Sequence, residues 1–508
     1  MPNAEWLPRA LRVVVRRAHR EEGGQSLTIV LALITFLFLI GSAMAAHASV
    51  ALRTTAASER QAGDLHAADA GAELGIWWQR NGNPGNPPDL TINGQTVSTT
   101  VTASGGSACP TRTPIRLTGF EHGRVSTAGG GLFVAVTGSG VTADPAVART
   151  GGWSLRIADP TGSSHNAALA TSGAVVVARV YLRLDSLPAA NVTELLVLDA
   201  AAGNDLRLGY RAVDQRLTLR FGSAAVTAAS SPVAAATWYR LDLRLSAGTN
   251  PRTGDWELDG VAQTSIASAG TASTVSRLRL GSAVAADAYT ANFDDVMASA
   301  TPGDYPIGAG TVVPLRPDGA GTHSNPASFR NDDGSAIDAT APTRLDDDPA
   351  TGTADYVSQQ VAAAADYLEL TFGDTSASCL VGVSGIVAYH APSSSANRAK
   401  TSVFDGSTER VLFSGDMSEV ALSYRSAIVA RPAGWTVSAV NALQVRLGYA
   451  TDVAPQPYWD ALLLEVATGA ATPATITVTS TAGASTVVLT YEDAGTAAPV
   501  LLSWSASR

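Results

Sequence analysis

The sequence predicts a mainly β protein carried on one long N-terminal helix, with two antiparallel β-sandwich domains and a short β tail. Three observations lead there. Leu27 to Ala46, LTIVLALITFLFLIGSAMAA, is a run of twenty residues without a charge. Period-two alternation of apolar and polar residues dominates the chain beyond about residue 115. Composition supplies the third: 45% hydrophobic and 15% charged residues with 47 glycines describe a globular β chain and not a disordered one. At 508 residues the chain exceeds one core, so several domains are expected.

At ~1.5 Å per residue the apolar run spans ~30 Å as a helix, the thickness of a bilayer's hydrocarbon core. Arg9, Arg12, Arg16, Arg17 and Arg20 precede it, whereas the first arginine after it is Arg53. Positive charge stays on the cytoplasmic side, so the body faces outward: a single-pass cell-membrane protein with an extracellular C-terminal body. The alternative is a secreted protein, because Ala43-Met44-Ala45 fits a signal-peptide cleavage site. Residues 1–25 are the basic cytoplasmic leader and 26–80 the transmembrane and stalk helix. Ser49 to Arg80 lacks proline and places Leu65, Ala68, Ala72 and Ile76 at helical spacing. Gly63, Gly71 and Gly75 each weaken that helix by ~1 kcal/mol relative to alanine. The breaker run from Asn81 to Pro88 ends it.

The sequence Glu22-Gly23-Gly24-Gln25-Ser26-Leu27, the apolar helix after it and Ala68-Asp69-Ala70-Gly71-Ala72-Glu73 together resemble the N-terminal region of type IV pilin-like minor subunits of the PilX type. The resemblance covers about the first eighty residues. It implies cleavage after a glycine and packing of the helix in a filament core, with pilus or envelope subunits as partners. One departure matters: major pilins of that family carry glutamate at the fifth mature position, where this chain has Ile29 or Thr28. A plain single-pass anchor with a stalk is the other reading.

Residues 81–114 are a linker containing a short hairpin turned at Asn93-Gly94. Residues 115–300 form the first sandwich. Leu206, Leu208 and Tyr210 alternate with Arg207, Gly209 and Arg211, and Leu217, Leu219 and Phe221 repeat the pattern after a turn. Further strands lie at 175–184, 195–198, 239–245 and 278–280. Residues 301–467 form the second sandwich, with strands near 312–315, 356–358, 367–372, 381–389, 401–404, 411–413, 443–447 and 461–466. Its Asn331-Asp332-Asp333-Gly334 and Asp346-Asp347-Asp348-Pro349 read as turns, since their spacing is not that of an EF-hand loop. Residues 468–508, the tail, alternate again; three strands bury little alone, so the tail should dock on the second sandwich or pair with a partner chain.

Gly119-Phe120-Glu121-His122-Gly123, Arg149-Thr150-Gly151-Gly152-Trp153, Thr237-Trp238-Tyr239-Arg240-Leu241 and Asn292-Phe293-Asp294-Asp295-Val296 stand in an order that resembles concanavalin-like and laminin-G-like sandwiches, and equally jelly-roll carbohydrate-binding modules. Over those ~180 residues the resemblance implies a structural calcium, with Glu121 and Asp294 or Asp295 among its ligands. Calcium takes six to eight oxygens, so carbonyls would complete the shell. It also implies glycan binding on aromatic faces, for which Trp256 and Trp238 are the candidates. Trp256, beside the Asp259-Gly260 turn, is expected to be exposed. The second sandwich faintly resembles modules of phage fibre and virion proteins.

An enzyme is not expected. One β-glucan hydrolase family on such a sandwich uses Glu-x-Asp-x-x-Glu; here Glu257-Leu258-Asp259 is present but Ala262 stands where the last carboxylate is needed. Gly-x-Ser-x-Gly and phosphate-cradling loops do not occur. Seven scattered histidines and two cysteines, Cys109 and Cys379, give no zinc signature. The net charge of −10 disfavours nucleic acid as a partner. Adhesion or carbohydrate and surface-ligand binding at a bacterial cell surface is the function these features favour; a purely structural envelope component is second and a secreted glycan hydrolase third.

Overall fold

The computed structural model describes residues 25–80, 86–104, 111–127, 132–160, 162–203, 205–224, 228–337, 341–346, 355–361, 363–377, 379–390, 398–416, 422–431, 434–451, 457–469, 474–493 and 500–507. The leader, Cys109 and Asp347-Asp348-Pro349 lie outside them. The fold is mostly β, with one long apolar helix and five antiparallel sheets among the described residues. The chain divides into two units, residues 1–106 with 473–508, and residues 107–472.

Unit 1 is the helix Gln25–Arg80 and a five-stranded sheet. The expected hairpin is there: Leu90–Ile92 pairs with Gln95–Ser104, and Asn93 and Gly94 take φ of 52° and 78°, the left-handed conformation that a two-residue turn requires. The tail, expected to dock on the second sandwich or on a partner chain, instead completes the sheet of the N-terminal hairpin. Ala474–Ala482 pairs with Gln95–Ser104 from Val97 to Ser104, and Ser485–Asp493 and Val500–Ser507 continue the sheet. The physical reason is an open edge: a hairpin long enough to present eight pairing positions recruits the strand that can fill them. The segment treated as a linker is therefore half of a domain that both ends of the chain build together.

The helix lays its C-terminal third, from about residue 63, on this sheet. Ala67, Ala68 and Ala72 are fully buried against Val97, Ile476, Val478 and Leu489, with Leu65 and Ile76 packed alongside. Gly71 and Gly75, counted as weaknesses in the sequence, are the positions of closest approach. A Cβ on Gly71 would stand 2.2 Å from Ser480 Oγ and 2.4 Å from Val97 Cγ1; one on Gly75 would stand 2.5 Å from Val478 Cγ1. Thr99 Oγ1 donates to the Gly71 carbonyl at 3.2 Å, so the missing side chains also admit a polar contact between sheet and helix. The N-terminal half has no such cover: Ile29, Leu31, Phe36, Phe38 and Leu39 are all exposed.

Unit 2 holds the two sandwiches. In the first, a seven-stranded sheet, ordered from Ala228–Pro232 at one edge to Phe133–Thr137 at the other, faces a nine-stranded one. The centre of the latter is Trp238–Ser246, Val175–Leu184, Tyr289–Ser299 and Ser154–Asp159. The predicted alternation holds: Leu206, Leu208, Leu217 and Leu219 are buried between the sheets, while Arg207 and Arg211 are half-buried. Pro114–Thr118 pairs with the end of Tyr289–Ser299, so the opening and closing strands of this sandwich are neighbours. The second sandwich stacks a six-stranded sheet, centred on Tyr458–Thr468 and Leu380–His390, on a five-stranded one centred on Gln444–Tyr449. Its core is Phe329, Leu368, Leu370, Trp459, Leu462 and their neighbours. Asn331 to Gly334 forms the turn expected of it, with Gly334 at φ 79° and its N–H donating to the Asn331 carbonyl.

Candidate functional site

The residues expected to hold calcium converge, but on protein donors. Asp294 and Asp295 interrupt the strand Tyr289–Ser299 at an irregularity of register, Asp295 at φ 51°. Both are fully buried, and so is Glu121, just beyond the paired strand Pro114–Thr118. Asp294 Oδ2 accepts from the Arg149 and Thr150 amides at 2.7 and 3.3 Å, and its Oδ1 from the Asp295 amide at 2.7 Å. Asp295 receives the Arg149 guanidinium, the Thr150 hydroxyl at 2.7 Å and the Val312 amide. Glu121 Oε2 accepts from Gly152 N at 2.8 Å.

A fourth carboxyl, absent from the sequence reading, belongs to the second sandwich. Glu465 Oε1 accepts from the Thr118 hydroxyl and from the Gly119 and Glu121 amides, each at 3.1 Å, and so ties the two sandwiches together. No local signal marked it, because Glu465 sits mid-strand in an apolar run whose partner segment is distant in sequence. Glu121 Oε1 and Glu465 Oε2 are buried without a hydrogen-bond partner. Burial pushes the Glu121 and Glu465 carboxyls up to about 8, each toward its protonated form, and burial together with Asp295 does the same to Asp294. Among the described residues no group of three His, Cys, Asp or Glu side chains is arranged to hold a metal ion.

The expected tryptophan platform does not form. Asp259 and Gly260 make the predicted hairpin tip, at φ 52° and 85°. Trp256, however, is buried, 1% exposed, with Nε1 donating to the Thr264 carbonyl at 3.1 Å. Trp256 has the same parity as Leu258 on Arg252–Leu258, so the two-residue period turns both into the core regardless of the nearby turn. Trp238 is half-buried and starts Trp238–Ser246, where Leu241, Leu243 and Leu245 point inward and Trp238 shares the outer face with Asp242. The two rings are thus on opposite faces of one sheet. Glu257 lies on the outer face as well, and Asp259 caps the turn by accepting from Arg240 N at 2.7 Å.

An open cleft of about 610 Å³ lies instead at one end of the first sandwich. Asp159 ends the strand Ser154–Asp159, and Tyr289 begins Tyr289–Ser299 directly opposite it in the register. His165 begins His165–Gly173 in the facing sheet, and its Nδ1 is 3.1 Å from Asp159 Oδ1. All three are buried, at 2%, 6% and 5% exposure. Asp159 Oδ2 and the Tyr289 hydroxyl are closed to solvent without a hydrogen bond of ordinary geometry, the Tyr289 oxygen lying against the Ser282 backbone. Burial holds the Asp159 carboxyl above its usual range while His165 opposes the shift, and burial raises Tyr289 strongly. Gly138 and Gly140 back the imidazole: a Cβ on either would stand 2.3 or 2.8 Å from His165 Cδ2. Pro160, Leu187, Pro188 and Ala189 supply apolar walls. The sequence reading passed over His165 because its partner becomes visible only when the sheets stack.

A second polar and aromatic group sits in the other sandwich. Tyr356 and Tyr458 stack at 4.4 Å, and His390 meets both edge-on while its Nδ1 lies 2.8 Å from Asp460. Their ring faces are largely used on one another.

No protein-family model matches the chain, and no curated protein matches it. Among solved structures, the cellulose-induced protein Cip1 is similar over 32% of this chain and 85% of its own, at 18% identity and a TM-score of 0.28. A Trypanosoma rangeli sialidase bound to the inhibitor DANA is similar over 32% of this chain and 27% of its own, at 16% identity and 0.24. A further sialidase is similar over 44% of this chain and 22% of its own, at 12% identity and 0.29. The chain thus spans about a quarter of the length of each sialidase.

Proposed function

We propose that the chain is a membrane-anchored surface protein whose sandwiches bind a glycan or related surface polymer without cleaving it. The observation that carries the anchoring is the bare half of the helix. Phe38 is 76% exposed and Ile29 68%, in a stretch of membrane-spanning length, while only the last third of the same helix, around Ala67, Ala68 and Ala72, is buried on its sheet. Apolar surface of that extent needs lipid or other apolar helices around it. Ligand binding is supported by the cleft: a concave surface with apolar walls and a few convergent polar groups is the usual form of a small-ligand site. Cleavage is disfavoured by Ala262 beside Glu257 and Asp259, and by the use of Asp259 as a turn cap.

A pilin-like place in a filament or envelope assembly is the second reading. Its support is the pairing of a bare apolar stretch with a last third packed on an antiparallel sheet through Ala67, Ala68, Gly71 and Ala72. Calcium at Glu121 with Asp294 or Asp295 stays a proposal of the resemblance. The unpartnered Glu121 Oε1 speaks for it, and the Arg149 guanidinium on Asp295 speaks against it. The test of the main reading is co-sedimentation of the full chain, in detergent or nanodiscs, with insoluble polysaccharides, together with an assay for new reducing ends. Retention on a polymer without release of ends is expected; release of ends would make the protein a hydrolase, and no retention on any polymer would leave the structural reading.

A further inference from the structure

We propose that a cleft on the outer face of the second sandwich's five-stranded sheet binds one neutral, polyhydroxylated sugar ring, with Arg446 and Lys400 donating to ring hydroxyls and Glu409 accepting from one. The proposal rests on the glycan-binding reading above and gives it a place and a ligand class.

The cleft follows from the register. Leu368, Leu370, Val403, Val445 and Leu447 fill the core, so the residues that alternate with them face outward. Two rows cross the sheet there. Tyr367, Gly448 and Lys400 are register partners, and two residues along the strands so are Glu369, Arg446 and Ser402. Gly448 leaves the middle of the first row without a side chain, and no side chain fits, since a Cβ would stand 2.7 Å from the Asp366 carbonyl oxygen. The result is a depression of about 220 Å³, walled by Tyr367 and Lys400 and bordered by Ala364 and Ala365.

Its polar groups are fixed and reachable. The Arg446 guanidinium is clamped between two rings, 3.8 Å from the Phe404 centroid and 4.4 Å from that of Tyr367, and its Nε donates to Glu369 Oε2 at 2.6 Å. Its two terminal nitrogens have no partner among the described residues and keep contact with solvent. A guanidinium held by its Nε side presents the other two nitrogens as a rigid fork. Glu409 Oε1 takes both Lys400 Nζ, at 2.6 Å, and the Ser402 hydroxyl, at 2.5 Å, which leaves Oε2 for a ligand. The Arg446, Lys400 and Glu409 side chains are 18%, 31% and 33% exposed, so a ring lying in the depression can touch all three.

Donors and an acceptor together select the ligand. A hydroxyl gives one hydrogen bond and takes others, so neighbouring hydroxyls of a sugar ring can accept from Arg446 and Lys400 and donate to Glu409. Burial opposes ionisation of Glu409, but the Lys400 and Ser402 hydrogen bonds and the charges of Lys400 and Arg446 outweigh it and hold the group below its ordinary range, as a carboxylate. A carboxylated ring would accept from the two cations but set its own charge against Glu409. Arg446 is already matched by Glu369 and Lys400 by Glu409, and a neutral ring leaves that balance intact.

The experiment compares the full chain and three variants, in nanodiscs, for binding to soluble oligosaccharides. The probes are neutral gluco-, xylo- and N-acetylglucosamine oligomers and, as the anionic arm, uronate oligomers. Lys400 is the only lysine in the sequence, so its acylation by an amine-directed reagent, read on its own peptide by mass, reports on this cleft. A saturating neutral probe should slow that acylation at least fivefold. Glu409→Gln and Arg446→Lys, the latter keeping a cation on Glu369, should each lower affinity for the same probe at least tenfold. Ala365→Trp, at an exposed border position, obstructs the cleft without touching the core and keeps the test valid if the Arg446 variant fails to fold. A neutral probe that leaves Lys400 unprotected and binds all four proteins equally would overturn the cleft and leave glycan binding standing elsewhere. Protection of Lys400 by uronate oligomers alone would overturn the ligand class. No binding of any probe by the parent would remove this inference and the glycan reading together.

Discussion

Ser104 and Thr475 are register partners on neighbouring antiparallel strands, although the whole of unit 2 lies between them in the chain. The two strands of unit 1 that flank the insert in the chain are thus neighbours, the arrangement in which an inserted domain disturbs its host least. Replacing residues 107–472 by a short glycine and serine linker should leave unit 1 able to fold. Circular dichroism of the deleted protein in detergent should show both helix and antiparallel sheet with a cooperative melt; loss of the sheet signal would mean that unit 1 needs its insert.

The close approach of helix to sheet gives a second expectation. Gly71→Leu places a side chain where even a Cβ would stand 2.2 Å from Ser480 Oγ. Overpacking of this kind costs roughly 1–3 kcal/mol or more. Unit 1 should melt at a lower temperature, whereas Gly41→Leu, at a position with nothing within 4 Å of its Cβ, should change little. Equal effects at the two sites would contradict the packing described for Gly71.

Trp256 is a core residue, and its substitution should read as one. Trp256→Ala removes a ring packed among the leucines of the first sandwich and should cost about 3–5 kcal/mol of stability. Any loss of glycan retention in that variant should follow its unfolding with temperature. A variant with the parent's melting temperature and no binding would return Trp256 to the ligand site.

The seam between the sandwiches should respond to pH with a definite sign. Glu121 and Glu465 titrate near 8 in the folded protein and in the ordinary carboxylate range when unfolded. The folded state therefore binds more protons between those limits, and its stability falls as pH rises from about 4.5 through about 8. Thermal melts of unit 2 within the full chain should drop across this interval, and Glu121→Gln with Glu465→Gln should flatten the dependence. The same melts with calcium and with chelator decide the metal. An unchanged temperature fits carboxyls satisfied by protons, amides and Arg149; a rise with calcium would restore Glu121, Asp294 and Asp295 as its ligands.

The sequence showed most of what is periodic. The uncharged run and the face of Leu65, Ala68, Ala72 and Ile76 are legible because helical and apolar spacing are local properties, and so are the strand at Val175–Leu184 and the Asn93-Gly94 and Asp259-Gly260 turns. What depends on distant partners was not legible. The tail could not be assigned to the N-terminal hairpin, because edge pairing leaves no mark in either segment. Gly71 and Gly75 weaken an isolated helix and become an asset only once a sheet lies against them. The turn beside Trp256 suggests exposure, but its parity with Leu258 on Arg252–Leu258 decides for the core. Asp159 with His165, and Glu121 with Glu465, are joined by stacking of sheets and of sandwiches, which no short motif encodes.

The central claim is that the long helix stays on the chain and anchors the sandwiches at a membrane. Mass measurement of the mature N-terminus, on protein recovered from the membrane fraction of the producing cell, tests it most directly. The account predicts a chain that begins at or before Gln25 and keeps Leu27 to Ala46. A chain that begins at Ala46 and is found in the medium would contradict it.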